Sequence, residues 1–394
     1  MHLKLRNQRY GLIGIVGILI LLLPACSGLL PMREPVTISF VHPEDSTGTY
    51  EAWAAAFQEE NPNVTIELRE MGSVPRSQLA QEDTYLVPQI EVGSYIEQGM
   101  ILSLSPFIEQ DGDFQLATLY GSAVRAFNAQ GKQWGLPSGI QLIMMYYNQD
   151  LFDRYGVPYP EAGWDWGGFL ERAIDLTDPN ADVFGYAVHY NSDFAIYEPA
   201  ILIYQFGGRL FDNLANPNRV IFDEPANIEA MDFYASLMHD HHVAPTPDEI
   251  RLMGNPYPWR GILEGKFAMW MTMYSDRGGQ TWPREWEMDW GIVPIPQGEV
   301  AATLAMADGL FVSAETEHPE VCWEWLKFAS QQAPPYALPA SKVMVESADY
   351  EAQVGPDVAA AARQSMENAI LINPNVVGFD AAINAMIDAF SAIQ

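Results

Sequence analysis

The chain has 394 residues, of which 48% are hydrophobic and 12% aromatic, so it is long enough for two domains and apolar enough to bury a large core. Its formal net charge of −31 excludes binding to nucleic acid or anionic lipid through a basic surface. The same charge argues against acidic ligands steered by a long-range field, and its plainest interpretation is a solvated acidic surface.

The first residues have the order of an export signal. Lys4, Arg6 and Arg9 give a basic start, and an apolar run without a charge follows from 11 to 23. This run is too short to span a bilayer comfortably as a helix. We therefore expect the rest of the chain to lie outside the cytoplasm.

A cysteine follows this apolar run directly after a small residue. Ala25 and Cys26 stand where a bacterial lipobox, which they resemble, has its cut site and its lipid-bearing thiol. We expect a signal peptide over 1–25 and a lipidated tether over 26–35, with the membrane contacted only through the lipid on Cys26. The alternative is an uncleaved N-terminal anchor with an incidental cysteine.

Hydrophobic periodicity predicts alternating strands and helices along the remaining chain. The predicted strands cover 36–41, 64–68, 142–148, 183–188 and 267–271, and an extended segment covers 290–296. The predicted helices cover 49–60, 169–177, 227–239 and 319–330. The first strand, helix and strand form a βαβ unit, which implies a parallel sheet. The fold class is therefore α/β.

Cysteine and histidine give little sign of metal or redox chemistry. Cys26 and Cys322 are the only cysteines, and with Cys26 lipidated no intrachain disulfide is available. Cys322 lies in an apolar helical stretch and is interpreted as a buried small hydrophobe. The run His-Asp-His-His at 239–242 could bind a metal, but a polar helix end is the simpler interpretation. We expect no metal and no cofactor.

Several short segments, in their order and spacing, are similar to one known family. They are Gly-Lys-Gln-Trp-Gly-Leu-Pro at 131–137, Met-Tyr-Tyr-Asn-Gln-Asp-Leu-Phe at 145–152, Gly-Lys-Phe-Ala-Met-Trp at 265–270, Asp-Trp-Gly-Ile-Val-Pro-Ile-Pro at 289–296, Asp-Gly-Leu-Phe-Val-Ser at 308–313, the helix 318–328, and Leu-Pro-Ala at 338–340. Together they resemble family 1 of the extracellular solute-binding proteins, the maltose-type receptors of ABC importers.

The resemblance implies a two-lobe periplasmic-binding-protein type II fold with discontinuous lobes and a hinged cleft. Lobe one would take 30–138 plus 297–328, and lobe two would take 139–296 plus 329–394. A sugar or polyol would be held in the cleft by a monomer and handed to the transmembrane subunits of an ABC permease. One departure concerns 71–101, which lacks the family's Gly-x-x-Pro-Asp-Val strand; the nearest match is Glu-Asp-Thr-Tyr at 82–85.

Sugar binding needs aromatic faces for the C–H surfaces of the ring and planar polar groups for its hydroxyls. The resemblance places such residues in loops that open onto the cleft. The ligand-binding candidates are His42, Glu44 and Asp45 after the first strand, Gln141, then Asp193, Phe194 and Tyr197, the stacking candidates Tyr274 and Trp282, and the strand start at Asp308 and Gly309. For 42–45 a solvated turn is an equal alternative, and Trp164, Trp166, Trp323 and Trp325 are expected to pack in the core.

Three functions compete on this sequence. The first is a receptor that makes and breaks no bond. The second is the same fold binding a non-sugar solute such as a polyamine or a phosphodiester. The third is an exported glycoside hydrolase, which would need a pair of carboxylates that no motif marks here.

Overall fold

The architecture is given by a computed structural model of the chain, which describes residues 34–44, 46–189, 193–212, 219–221, 223–252 and 258–371. The strands in this part are β1 (Val36–His42), β2 (Val64–Glu70), β3 (Thr84–Pro88), β4 (Asn128–Ala129), β5 (Lys132–Gln133), β6 (Leu136–Asn148), β7 (Phe184–Ala187), β8 (Phe267–Met273), β9 (Trp290–Val293), β10 (Thr303–Val312), β11 (Leu338–Pro339) and β12 (Ala369–Leu371).

The α-helices in the same residues are α1 (Thr47–Glu60), α2 (Val92–Glu97), α3 (Ser105–Gln110), α4 (Gly121–Ala126), α5 (Gln149–Tyr155), α6 (Trp166–Leu176), α7 (Tyr197–Gln205), α8 (Pro225–His239), α9 (Pro247–Leu252), α10 (Pro258–Leu263), α11 (Pro319–Ala329), α12 (Lys342–Val345), α13 (Ala348–Val354) and α14 (Pro356–Glu367). Short 3₁₀ helices cover Met71–Ser73, Arg76–Gln81, Gln89–Glu91, Leu116–Thr118, Asp193–Ile196 and Tyr274–Gly279. Within the described ranges no helix is both long and apolar enough to cross a membrane.

The predicted βαβ unit at the start of the sheet is confirmed. β1 and β2 are parallel and in register from Val36 with Val64 to His42 with Glu70. The helix α1 connects them and buries Tyr50, Trp53 and Phe57 against the sheet. Local periodicity was a sufficient guide here because each element buries one regular face.

The main sheet is mixed rather than parallel throughout. Its order is β2-β1-β3-β10-β6-β8-β7, with β9 and β11 also paired to β6 and β12 paired to β10. Parallel pairing holds for β1 with β2 and β3, and for β7 with β8, whereas β10 and β6 run antiparallel to their neighbours in the main order. The α/β class is confirmed, and the parallel pairing implied by the βαβ unit holds for β1 with β2. The sheet as a whole is mixed because two long strands run back through its middle.

The strand β6 begins at Leu136, six residues before the predicted start at 142. Pro137 and Gly139 resemble turn residues, yet both lie in the ladder with β10, where the register shifts and Ser138 is the extra residue. A Cβ on Gly139 would lie 2.6 Å from the Cβ of Ala337, so only glycine fits this approach. Residues typical of a turn therefore form a β-bulge within a strand.

A strand is also present where the sequence lacked the expected motif. β3 begins at Thr84, directly after Asp83. The Asp83 carboxylate accepts hydrogen bonds from the backbone N–H of Ser39 at 2.9 Å and from the hydroxyl of Thr316 at 2.6 Å. This acidic residue thus ties β1 and the end of β10 to the start of β3.

Aromatic residues fill much of the core. Trp325 is fully buried and its ring lies edge-on to Phe40 and Phe57, with centroids 5.2 and 5.4 Å apart. The four tryptophans predicted to pack in the core, Trp164, Trp166, Trp323 and Trp325, are all buried. Cys322 is buried as well, and burial raises the pKa of its thiol to about 12, as expected for an inert cysteine.

The described residues from Pro35 onward belong to one compact unit. The reason lies in β6, whose first part pairs with β10 and β11 and whose last part pairs with β8 and β9. We call the sheet around β1, β3 and β10 the first half and the sheet around β7, β8 and β9 the second half. The proposed lobe boundaries within this unit stay a prediction.

Candidate ligand-binding site

The candidate site lies where the carboxyl ends of β1 and β3 meet the crossing strands β6 and β10. β1 ends at His42, and Pro88 at the end of β3 is in register with Asp308 of β10. On its other side, Asp308 is in register with Gly139 of β6. Ligands of α/β proteins bind outside the carboxyl ends of strands, so this edge is the expected place for a site.

Asp308 stands beside the bulge between β6 and β10. The register shifts between Asp308 and Gly309, and bulges of this kind re-aim side chains next to functional sites. The carboxyl group is half-buried. Burial raises its pKa to about 6, although a hydrogen bond from Gln141 acts to lower it. The fold therefore holds an acid where its charged form is disfavoured.

His42 and Tyr50 form an aromatic wall next to this acid. The two rings are stacked with centroids 4.7 Å apart. Burial raises the pKa of Tyr50, and the nearby negative charge of Asp308 raises it further. Tyr336 also lies close enough to Tyr50 to raise this pKa. Tyr336 belongs to the segment that returns from α11 to the sheet, and it is half-buried. The carboxyl group thus lies near Gln141 and Tyr50, and Tyr50 in turn stacks on His42 and lies near Tyr336.

Three buried polar atoms around this cluster have no hydrogen-bond partner among the described residues. They are Nε2 of His42, Oε1 of Gln141 and Oγ of Ser138. A buried polar atom without a partner costs free energy, and native proteins seldom keep one unless a ligand or water pairs with it. We call His42, Ser138, Gln141 and Asp308 the polar floor.

A buried acid that was not predicted from the sequence lies in the first turn of α7. Glu198 is fully buried and accepts hydrogen bonds from the hydroxyls of Tyr186 at 3.0 Å and Tyr234 at 3.2 Å. Nδ1 of His189 lies 2.8 Å from the same carboxylate. An acid inside the apolar stretch of α7 was the signal that could have found it, because buried carboxylates need several donors.

Tyr197 begins α7, and its hydroxyl donates to Sδ of Met306 at 3.3 Å. This contact places Tyr197 beside a residue of β10 that lies two positions from Asp308, and a ligand contact by Tyr197 stays a prediction. Asp193 lies in the 3₁₀ turn that precedes α7. The side chains of Asp193 and Phe194 lie outside the described part, so their ligand contacts stay predictions.

Tyr274 is fully buried, which differs from an open stacking surface. Its hydroxyl lies 2.6 Å from the hydroxyl of Tyr350, and the guanidinium of Arg277 lies 4.3 Å from its ring centroid. A sugar could stack on this ring only if both contacts were broken. The family position therefore carries a packing residue in this structure, and a ligand contact by Tyr274 stays a prediction.

Trp282 is half-buried at the edge of an aromatic cluster. Its ring lies 5.0 Å from that of Trp286, and Trp286 lies 5.2 Å from both Tyr146 and Trp270. The cluster anchors the segment 274–289 on the face of the second half of the sheet. Of the two predicted stacking residues, Trp282 is the one with a partly open ring.

Arg277 ties that segment to the strand crossing. Its guanidinium is buried and donates to the carbonyl oxygens of Tyr274 at 3.0 Å, Tyr336 at 3.1 Å and Pro335 at 3.3 Å. The neighbouring Asp276 accepts hydrogen bonds from the hydroxyls of Thr272 and Thr281. Arg277 was not predicted from the sequence, since two of its three carbonyl partners, Pro335 and Tyr336, lie about sixty residues away along the chain.

The remaining predicted residues have mixed outcomes. Gly309 is required by packing, because a Cβ there would lie 2.4 Å from the ring of Phe127. Glu44 is exposed in the turn after β1. Asp45 and the lipidation candidate Cys26 lie outside the described residues. The His-rich run at 239–242 lies at the exposed C-terminal end of α8.

Comparison with known proteins decides the family. The model of the family described as bacterial extracellular solute-binding protein matches residues 43–333. The chain belongs to this family. The solute-binding protein is also 23% identical to a curated binding protein of Brucella abortus over 352 residues, which cover 83% of this chain and 78% of that protein.

Solved structures agree on the fold of the solute-binding protein. An ABC substrate-binding protein of Listeria monocytogenes in complex with cycloalternan has a TM-score of 0.70 at 22% identity, covering 91% of this chain and 98% of the other. UgpB of Mycobacterium tuberculosis in complex with glycerophosphocholine also has a TM-score of 0.70, at 19% identity, covering 92% and 97%. The predicted family and the type II periplasmic-binding-protein fold are confirmed. The solute-binding protein therefore belongs to a family of binding proteins that work outside the cytoplasm.

Proposed function

We propose that this protein is the receptor of an ABC importer for an uncharged sugar or polyol, which it binds between the two halves of its sheet and delivers to the permease. The observation that carries the proposal is the polar floor, since acceptor atoms and a hydroxyl lie together at the strand ends without internal partners. Hydroxyl groups of a sugar would complete these hydrogen bonds. The cycloalternan complex of the Listeria protein supports the same ligand class.

Aromatic residues complete the requirements for sugar binding. Trp282 offers a partly open ring from the second half, and Tyr336 is half-buried beside Tyr50 in the first half. Stacking against such rings covers the apolar face of a pyranose. Closure of the two halves around the ligand would be a hinge motion across β6 and β10.

The hydrolase alternative receives no support from the polar floor. Glycoside cleavage uses two carboxyl groups that face each other across the bond. The influences on the pKa of Asp308 are burial and the hydrogen bond from Gln141. Among the described residues no second carboxyl group influences this pKa, so the polar floor does not mark a catalytic pair.

Thermal denaturation with a panel of neutral sugars and polyols tests the proposal. The true ligand should raise the melting temperature, because a ligand at about 100 times its Kd stabilises the folded state by about 2.7 kcal/mol. Trp282→Ala should weaken this binding about tenfold or more, while Tyr159→Ala on the outer surface should leave it unchanged. Release of product from an aryl glycoside, or no stabilisation by any neutral sugar or polyol, would contradict the proposal.

We also propose that the receptor is a monomer held at the membrane by lipid on Cys26. Cys26→Ser in the full-length chain should then move the protein from the membrane fraction to the soluble fraction, because the thiol is the site of acylation. A variant that stays in the membrane fraction would indicate the uncleaved anchor instead.

A further inference from the structure

The polar floor consists mainly of hydrogen-bond acceptors. Nδ1 of His42 lies 2.8 Å from the carbonyl oxygen of Pro43, which can only accept, so Nδ1 carries a proton. In the uncharged tautomer Nε2 is then an acceptor. Gln141 uses its amide group on Asp308, which leaves its Oε1 as a second acceptor. The carboxylate of Asp308 is a third. Ser138 alone adds a group that can both donate and accept.

No lysine or arginine in the described part of the chain influences the acid of this floor or its neighbour Tyr50. Every Lys and Arg beyond residue 34 falls within the described ranges, so their positions are known. None of them contributes to the pKa of Asp308 or of Tyr50. Arg277 is the basic residue bonded to the Tyr336 segment, and its guanidinium already donates to three carbonyl oxygens.

We infer that the polar floor selects its ligand by charge, admitting groups that donate hydrogen bonds, such as hydroxyl or ammonium, and rejecting carboxylated or phosphorylated analogues. This inference rests on the proposed function and narrows its ligand class. An anionic group adds hydrogen-bond acceptors to a floor made mostly of acceptors, so most of its oxygens would lack a donor. It also lies close to the like charge of the Asp308 carboxylate. Like charges brought together in a binding site cost several kcal/mol. Asp308 is therefore a specificity-determining residue.

The test is a panel of matched ligands measured by calorimetry on the wild-type protein. The panel contains neutral sugars and polyols, each with its uronate and its phosphate ester, together with polyamines and choline. We expect binding by neutral or cationic members and at least about 100-fold weaker binding by the matched anions. Asp308→Asn should reduce that ratio to about tenfold or less, because it removes the like charge and keeps the shape. Asp113→Asn, at an exposed turn, makes the same change of net charge and should leave the ratio unaltered.

The outcomes separate this inference from the proposed function. If choline or a polyamine binds and sugars do not, the sugar receptor is wrong while charge selection stands. An anion that binds as tightly as its neutral partner, a ratio that Asp308→Asn leaves unchanged, or a panel with no neutral or cationic binder would overturn charge selection.

Discussion

At the scale of single residues, Asp308 combines a structural cost with the binding role proposed for it. Burial raises its pKa from the ordinary value of 3.8 to about 6, so the folded state holds the proton more tightly than the unfolded chain does. This group therefore contributes a loss of stability as the pH rises from about 4 to about 6, and the cost stays at its full value above that range. Groups kept at such a cost are typical of ligand sites.

The substitution Asp308→Asn should separate the two roles. At about pH 8 the variant should be more stable than the wild type by roughly 1–3 kcal/mol, because the buried charge is gone. At about pH 4 the difference should largely vanish, since both side chains are then neutral. Urea unfolding at the two pH values measures this effect, with Asp113→Asn as the control for the surface charge.

A lower stability of Asp308→Asn at about pH 8 would show that the carboxylate is satisfied in the folded protein. In that case the carboxylate would be a stabilising structural group, and its stability cost would no longer support a binding role.

At the scale of elements, the segments that carry the site are held by buried polar groups. Glu198 joins the loop after β7 to Tyr186 and Tyr234, and Arg277 joins 274–289 to the segment before β11. Both anchors act on residues next to predicted ligand contacts. Rigid support of this kind reduces the ordering cost that a ligand must overcome.

Loss of the Glu198 anchor should loosen Tyr197. Glu198→Gln places an NH₂ group against hydroxyl donors, so we expect a loss of about 1–3 kcal/mol in the free energy of unfolding. Hydrogen exchange of the described residues from Asp193 through α7 should become faster. Glu229→Gln on the exposed face of α8 should change neither quantity, and equal exchange in both variants would refute the anchoring role.

The Arg277 anchor depends on the shape of the guanidinium. Arg277→Lys keeps the charge but cannot reach three carbonyl oxygens at once, so it should destabilise the protein by about 1–3 kcal/mol. Arg284→Lys, in the same segment but exposed, is the matched control. Calorimetric unfolding of both variants measures the difference, and an unchanged melting temperature for Arg277→Lys would contradict this role.

How far the sequence predicts these elements depends on the range of the contacts that form them. β1, α1 and β2 were predicted within three residues because their patterns are local. The start of β6 was missed, since Pro137 and Gly139 enter a strand only through pairing with β10, far along the chain. The packing of Tyr274 against Tyr350 and the place of Ser138 in the polar floor were missed for the same reason. Family resemblance supplied the positions of His42, Gln141 and Asp308 but not their partners.

At the scale of the whole molecule, the acidic composition affects stability in solution. The net charge of −31 produces mutual repulsion that opposes the compact state. Surface charges are screened beyond about 10 Å at 0.1 M ionic strength and beyond about 30 Å at 0.01 M. Stability should therefore depend on salt more strongly than it does in a protein near neutrality.

Raising the NaCl concentration from about 0.01 M to about 0.15 M should raise the melting temperature by a few degrees at about pH 8, because the screening length falls. At about pH 4, where many carboxylates are protonated, the same addition should have less effect. Differential scanning calorimetry measures both shifts. A melting temperature that falls with salt at about pH 8 would show that attractive ion pairs outweigh the repulsion.

The aromatic cluster of the second half gives the protein a built-in optical reporter. The ring centroid of Trp286 lies 5.0–5.5 Å from the centroids of Trp270, Trp282 and Trp290. Trp282 and Trp290 are half-buried, while the other two rings are buried. A molecule that covers Trp282 changes the polarity around an indole that is coupled to its neighbours. If the solute covers Trp282, as proposed, its capture would shift the ultraviolet emission, and unlabelled protein could be titrated directly in a cuvette.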